Sequence, residues 1–201
     1  MEKNDKQTSN GRWKLLLVLA VCAAPMIFSY LAYYVIKPAG RTNYGTILDP
    51  RQYPVPQLQG RLLGAGPEEK TQELNAYQGK WIMLQIDEGA CPETCRKKLY
   101  DMRQLRLAQG KEMERIERVW LLTDDQPVAT SLLREYDGTH VLKVSPAVLK
   151  SWLPTDVDSQ ISDHIYMIDP LGNLMMRFPK DADPNKIKKD LGKLLRASAI
   201  G

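Results

Sequence analysis

The sequence predicts an α/β domain carried on a single N-terminal membrane-spanning helix. Two observations predict it. Leu15 to Ile36 is a 22-residue run without a charged side chain, and beyond Gly79 short apolar runs alternate with amphipathic ones in the order strand, helix, strand, helix, with a hairpin and a last helix after them. Composition agrees: 43% of the 201 residues are hydrophobic and 26% charged, and three cysteines are too few for a disulfide scaffold, so a conventional core must hold the folded part.

At ~1.5 Å per helical residue the run Leu15–Ile36 covers about 33 Å, enough for a hydrocarbon core of about 30 Å. Trp13 at one end and Tyr30, Tyr33 and Tyr34 toward the other stand where amphipathic rings favour the interface. Pro25 is tolerated in such a helix. A cleaved signal peptide has a shorter apolar region ending in small residues, whereas this run continues into bulky aromatics. Leu19-Ala20-Val21-Cys22 only faintly matches a lipidation box, and Cys22 reads as a small apolar residue in lipid.

Residues 1–44 hold six Lys and Arg against two acids, which leaves 22 bases and 22 acids in residues 45–201. The net charge of +4 therefore belongs to the N-terminus, and the large C-terminal part gives no reason to expect a nucleic-acid partner. Four cations precede the apolar run, while Lys37, Arg41 and Arg51 follow it. With so short a leading tail, the positive-inside rule keeps residues 1–14 in the cytoplasm and puts the C-terminal domain in the bacterial periplasm, where thiols can oxidise.

The domains expected are a tail (1–14), a membrane helix in contact with lipid (15–36), a tether (37–66) and a folded domain (67–201). Thr42 to Gly66 is rich in Pro and Gly and reads as a tether running into a short first strand or hairpin. Trp81–Ile86 is an apolar run of the buried-strand type, closed by Asp87-Glu88-Gly89. Cys91-Pro-Glu-Thr-Cys95 opens a helix through about Gln109, with Leu99, Met102 and Leu105 or Arg106 at helical spacing and Gly110 as the stop. Arg118–Leu122 is a strand, Asp124-Asp125 a turn expected to cap the next helix, and Ala129–Tyr136 that helix. A strand at His140–Val144, a helix at Pro146–Trp152, a hairpin of His164–Ile168 with Leu174–Phe178, and a helix at Pro184–Ala197 complete an α/β sandwich of thioredoxin type. In the last helix Ile187, Leu191, Leu194 and Leu195 form the buried stripe, and Lys186, Lys188, Lys189 and Lys193 the solvated face.

Gly79-Lys80-Trp81 leading into a strand, Cys91-Pro92-x-x-Cys95 at the strand-to-helix turn, and Asp163-His164 followed by Tyr166-Met-Ile-Asp-Pro170-Leu-Gly172 resemble the membrane-anchored Sco/SenC/PrrC proteins. The whole chain looks like the Sco-like, cytochrome-oxidase-associated transmembrane proteins of bacteria. The resemblance implies a thioredoxin-like fold, copper as cargo or a thiol-reductant activity, and cytochrome c oxidase subunits or other assembly factors as partners. Two departures stand out. Arg96 occupies the place of a second proline after the second cysteine, and His164 lies only two residues before Tyr166, where the ligand histidine of the family lies farther ahead.

The residues carry their own chemistry. Pro92 suits a first helical turn, so Cys91 falls at or beside a helix N-cap, where free N–H groups and nearby Arg96, Lys97 and Lys98 favour a thiolate. Four residues of helix bring Cys95 to nearly the same face, near enough to share a metal or close a disulfide. Two thiolates make a soft site suited to Cu(I) or Zn, and an imidazole would complete a three-coordinate copper set. His164 is the first choice for that ligand and His140 the second. The blander reading of His164 is a partly exposed histidine at a strand mouth, capped by Asp163, and that of the cysteines is a structural disulfide. Met102, Met113, Met167, Met175 and Met176 read as packing, not thioether ligands. Three functions follow: a copper-delivering assembly factor using Cys91, Cys95 and His164, a thiol–disulfide reductant in which Cys91 attacks and Cys95 resolves, and a docking scaffold that needs neither cysteine.

Overall fold

The computed structural model of the chain describes residues 5–36, 43–62, 70–198 and 200. It divides into two units, one ending at Thr42 and one beginning at Asn43. The first is helix α1 (Asp5–Leu31), continued by a π-helical turn at Ala32–Ile36. Gly11–Val35 is long and apolar enough to cross a membrane, with mean hydropathy 2.4. Its large side chains, from Leu15 to Val35, are exposed on all sides, the pattern of a helix solvated by lipid. The helix starts ahead of the expected span because Asp5–Lys14 contains no proline, and a lone Gly11 costs a helix only about 1 kcal/mol. Residues 1–4 of the tail, and 37–42 and 63–66 of the expected tether, lie outside the described residues.

The second unit is built on a sheet with, among the described residues, eight strands: β1 (Thr46–Ile47), β2 (Gln59–Leu62), β3 (Lys70–Glu73), β4 (Trp81–Asp87), β5 (Ile116–Leu122), β6 (Thr139–Lys143), β7 (Ile165–Ile168) and β8 (Leu174–Arg177). Their spatial order is β1-β8-β7-β4-β5-β6-β2-β3. The central strands β4, β5 and β6 are parallel, with Met83 opposite Arg118 and Trp120 opposite Val141, while β7 runs antiparallel to β4 and β8 antiparallel to β7. Helices α2 (Glu93–Leu107), α3 (Thr130–Glu135), α4 (Pro146–Trp152) and α5 (Pro184–Ala197) cover it. This is the expected thioredoxin-type core. Within the expected tether and the short first strand or hairpin it runs into, β1 pairs with β8 and β2 with both β3 and β6.

Period-two alternation assigns each strand residue to one face. Trp81, Met83, Ile116, Ile165 and Met167 pack under α2 and α5 against Met102, Leu105, Ile187, Leu191 and Leu195. Ile82, Leu84, Ile86, Val119, Leu121, Tyr166 and Ile168 pack on the opposite face with Leu149 and Trp152 of α4. Full burial of each such side chain stabilises by about 1.5–3 kcal/mol. The stripe of α5 is as expected at Ile187, Leu191 and Leu195, Leu194 is only partly buried, and Asp190 joins it, accepting the backbone N–H of Tyr44 (2.6 Å) and Gly45 (2.9 Å) and pairing with Lys193 (3.0 Å). It ties the start of the sheet to the last helix. The N-terminus of α5 is capped by Asp183, which accepts from Asn185 N–H at 2.8 Å.

Candidate functional site

The parallel strands end where the cysteines begin. After Asp87 the chain turns through Glu88-Gly89-Ala90, and Cys91 takes a left-handed conformation (φ 42°) just outside α2, with Pro92 as the N-cap residue. That kink turns the Cys91 side chain back toward the helix. Cys91 and Cys95 are joined in a disulfide with 5.1 Å between their Cα atoms.

Both cysteines are fully buried, packed with Leu99, Trp120, Leu122, Leu132, Tyr136 and Val141. The cover is α3 and its approach. Val128 and Leu133 pack against the same cluster, the Tyr136 hydroxyl donates to the Arg96 carbonyl (3.4 Å), and Arg103 lies over the Tyr136 ring (5.4 Å) while donating to the Glu135 carbonyl (2.8 Å). Burial pushes the Tyr136 phenol above its ordinary range, reinforced by Glu135. Asp124 does not cap α3, which begins only at Thr130 behind an Ala129 N-cap. Its carboxylate accepts the Gly89 N–H (2.8 Å) and so fastens the β5–α3 loop to the turn before Cys91. The fit there demands glycine, because a Cβ on residue 89 would run into the Gln126 carbonyl oxygen.

Beneath the disulfide lies a buried polar chain. Gln85 of β4 points its Nε2 at Cys95 Sγ (3.3 Å), the Cys95 carbonyl (3.1 Å) and Asp87 Oδ2 (3.3 Å). Lys98 donates to the same Asp87 oxygen (2.7 Å) and to the Ser162 carbonyl. With only 13% and 10% of their side chains exposed, Lys98 and Asp87 are an ion pair that neither partner could lose without leaving an uncompensated buried charge. A cleft of about 290 Å3 opens at this end of the sheet, lined by Asp87, Glu88, Asp124, Lys150 and Gln160 among others.

The structure brings Cys91 and Cys95 together but does not bring His164 to them. His164 lies at the expected end of the sheet, since Ile165 pairs with Gln85. However, Gln85 and Ile165 share the face under α2, and alternation turns His164 to the other face with Tyr166. There it is fully buried rather than partly exposed, with Nδ1 2.8 Å from the Phe178 carbonyl and Nε2 2.8 Å from Ser159 Oγ. The carbonyl can only accept, so Nδ1 carries a proton, while Nε2, the nitrogen a metal would use, faces the Ser159 oxygen, whose own proton also reaches the Asp156 carbonyl (2.9 Å). Desolvation pushes the imidazole below its ordinary value, opposed by the Phe178 bond and assisted by the charge of Arg177. Asp163 does not cap the ring. It accepts from Gln160 N–H (3.0 Å) and Lys180 (3.3 Å).

His140, the second choice, stands at the opposite end of the parallel strands, its ring tilted against that of Tyr77 (4.3 Å between centroids) and 3.3 Å from Glu117. Burial, with Glu117 adding to it, pushes the Tyr77 phenol up to about 12. Among the described residues no group of three or more His, Cys, Asp and Glu side chains is arranged to hold a metal ion. Met102, Met167 and Met176 are core. The residue that sequence reasoning missed is Gln85, and its signal was present: one amide inside the apolar run Trp-Ile-Met-Leu-Gln-Ile.

Residues 81–198 match the family described as transmembrane-like, thioredoxin-like, C-terminal domain, and residues 5–35 match its companion, the transmembrane-like N-terminal domain. The chain belongs to this family of transmembrane-like proteins with a thioredoxin-like C-terminal domain. No curated protein matches it by sequence. Among solved structures it is similar to yeast Sco1 (15% identity, 80% of this chain and 99% of that one, TM-score 0.55). It is also similar to Bradyrhizobium japonicum ScoI with copper bound (18%, 69% and 98%, TM-score 0.52) and to the thioredoxin domain of a thiol-disulfide oxidoreductase from Bacteroides vulgatus (17%, 70% and 94%, TM-score 0.51). The neighbours thus include Sco proteins, as the sequence resemblance implied, and a thiol-disulfide enzyme of the same fold.

Proposed function

We propose that this chain is a membrane-anchored assembly factor for a copper-containing cytochrome c oxidase, working from the periplasmic face of the bacterial inner membrane through the Cys91–Cys95 pair. The observation that carries the proposal is the pair itself: two sulfurs joined at the end of β4, in the fold of copper-bound Sco proteins. Reduced, the two thiolates form a soft donor set for Cu(I), and copper is cargo that passes to partner thiolates by ligand exchange with no change in electron count. Two sulfurs suffice for this, and His164 takes no part, since both of its ring nitrogens are committed to the fold.

The second reading is thiol–disulfide exchange, favoured by the absence of a third ligand among the described residues. Cys91 thiolate attacks a partner disulfide and expels one partner thiolate. Cys95 then attacks the mixed disulfide at Cys91 Sγ and expels the other, so that two electrons pass to the partner as Cys91–Cys95 forms. Copper analysis of the detergent-solubilised, reduced full chain separates the readings. Delivery predicts tight Cu(I) binding that is abolished in Cys91→Ser and in Cys95→Ser and unchanged in His164→Ala. If wild-type protein holds no copper and Cys95→Ser accumulates a mixed disulfide in cells, the exchange reading replaces it.

A further inference from the structure

Gln85 is a polar residue where the fold asks for an apolar one. It sits inside a central strand, opposite Trp120 of β5 and Ile165 of β7, with no accessible surface, and Trp81 and Met83 fill the same face of β4 with apolar groups. Burying an amide without full hydrogen bonding opposes folding. The hydrogen bonding here is incomplete. Nε2 divides two protons among the Cys95 sulfur, the Cys95 carbonyl and Asp87, while Oε1 is buried without a partner. Moreover, a disulfide sulfur is a weak acceptor.

Reduction changes what the amide faces. A Cys95 thiolate is a strong, charged acceptor for Nε2–H, and it takes that bond with the amide as it stands, still donating to the Cys95 carbonyl and Asp87. With Cys95 as a thiolate, the reduced pair satisfies Gln85 better than the disulfide does. We propose that Gln85 is a positioning residue for the Cys95 sulfur that favours the dithiol over the disulfide. It would thereby keep the pair in the only form that can take up Cu(I) or attack a partner. This rests on the reading that the cysteines work as a reducible pair.

Gln85→Met keeps the shape of the side chain and removes the amide, and Gln85→Leu removes it with a different shape. The full-length protein in detergent is equilibrated with glutathione buffers of stepped composition, and the dithiol fraction is read by alkylation and mass. Both variants should shift the equilibrium toward the disulfide, lowering the dithiol-to-disulfide ratio in a given buffer about threefold to tenfold. An unchanged ratio in Gln85→Met, a shift toward dithiol, or shifts of opposite sign in the two variants would overturn the proposal. Loss of the functional reading would show differently, as oxidase assembly that proceeds without either cysteine, whatever the equilibrium at Gln85.

Discussion

At the scale of single residues, position within a strand decides what a promising side chain does. His164, an obvious ligand by residue type, is a buried neutral fastener between Phe178 and Ser159, beside the Arg177–Asp156 pair that ties the 153–163 loop to the sheet. Its consequence is a pH dependence of stability. Because burial lowers the folded-state pKa below the ordinary histidine value of about 6.5, the unfolded chain binds the proton more readily. The stabilisation is therefore complete above that value and is lost as pH falls below it. The urea midpoint should drop between pH 7.5 and 5.5, and His164→Gln, which cannot charge, should flatten that slope. A wild-type midpoint constant across the window would contradict the buried neutral ring. The cysteine pair was legible in the sequence, but the place of His164 was not. Which face a histidine takes depends on strand register, and alternation with Ile165 and Met167 settles it only once Gln85 is known to lie opposite Ile165.

At the scale of elements, α4 and α5 stand at the sequence-derived bounds because each opens on a proline and carries its own apolar period. The strands β1, β2 and β3 were legible only as a short first strand or hairpin without bounds. They are two to four residues long, polar on part of their length, and held by pairing to distant strands rather than by local pattern. The element with most bearing on function is α3, which with Tyr136 roofs the disulfide. Tyr136→Ala should cost about 3 kcal/mol of stability, as for other buried aromatics, and should speed reduction of Cys91–Cys95 by dithiothreitol several-fold. Leu174→Ala, destabilising in the core on the opposite face, provides the control. Equal acceleration by both variants would mean that reduction proceeds through general unfolding and not through opening of α3.

At the scale of the whole molecule, the chain joins an apolar helix to a thioredoxin-like domain whose sulfurs need a compartment that permits both disulfide and dithiol. A reporter active only outside the cytoplasm, fused after Gly201, should be active, with the protein retained in the membrane fraction. Activity of a cytoplasmic reporter alone would remove the setting in which the pair can cycle. Given that setting, copper delivery and thiol exchange agree on one requirement, the two sulfurs, and a docking scaffold denies it. The direct measurement is cytochrome c oxidase activity in cells lacking the wild-type protein, complemented with the Cys91→Ser, Cys95→Ser double variant and grown at limiting copper. Loss of activity to the level of the null strain, with recovery on added copper, is the predicted result; full activity of the double variant at limiting copper would contradict both cysteine mechanisms.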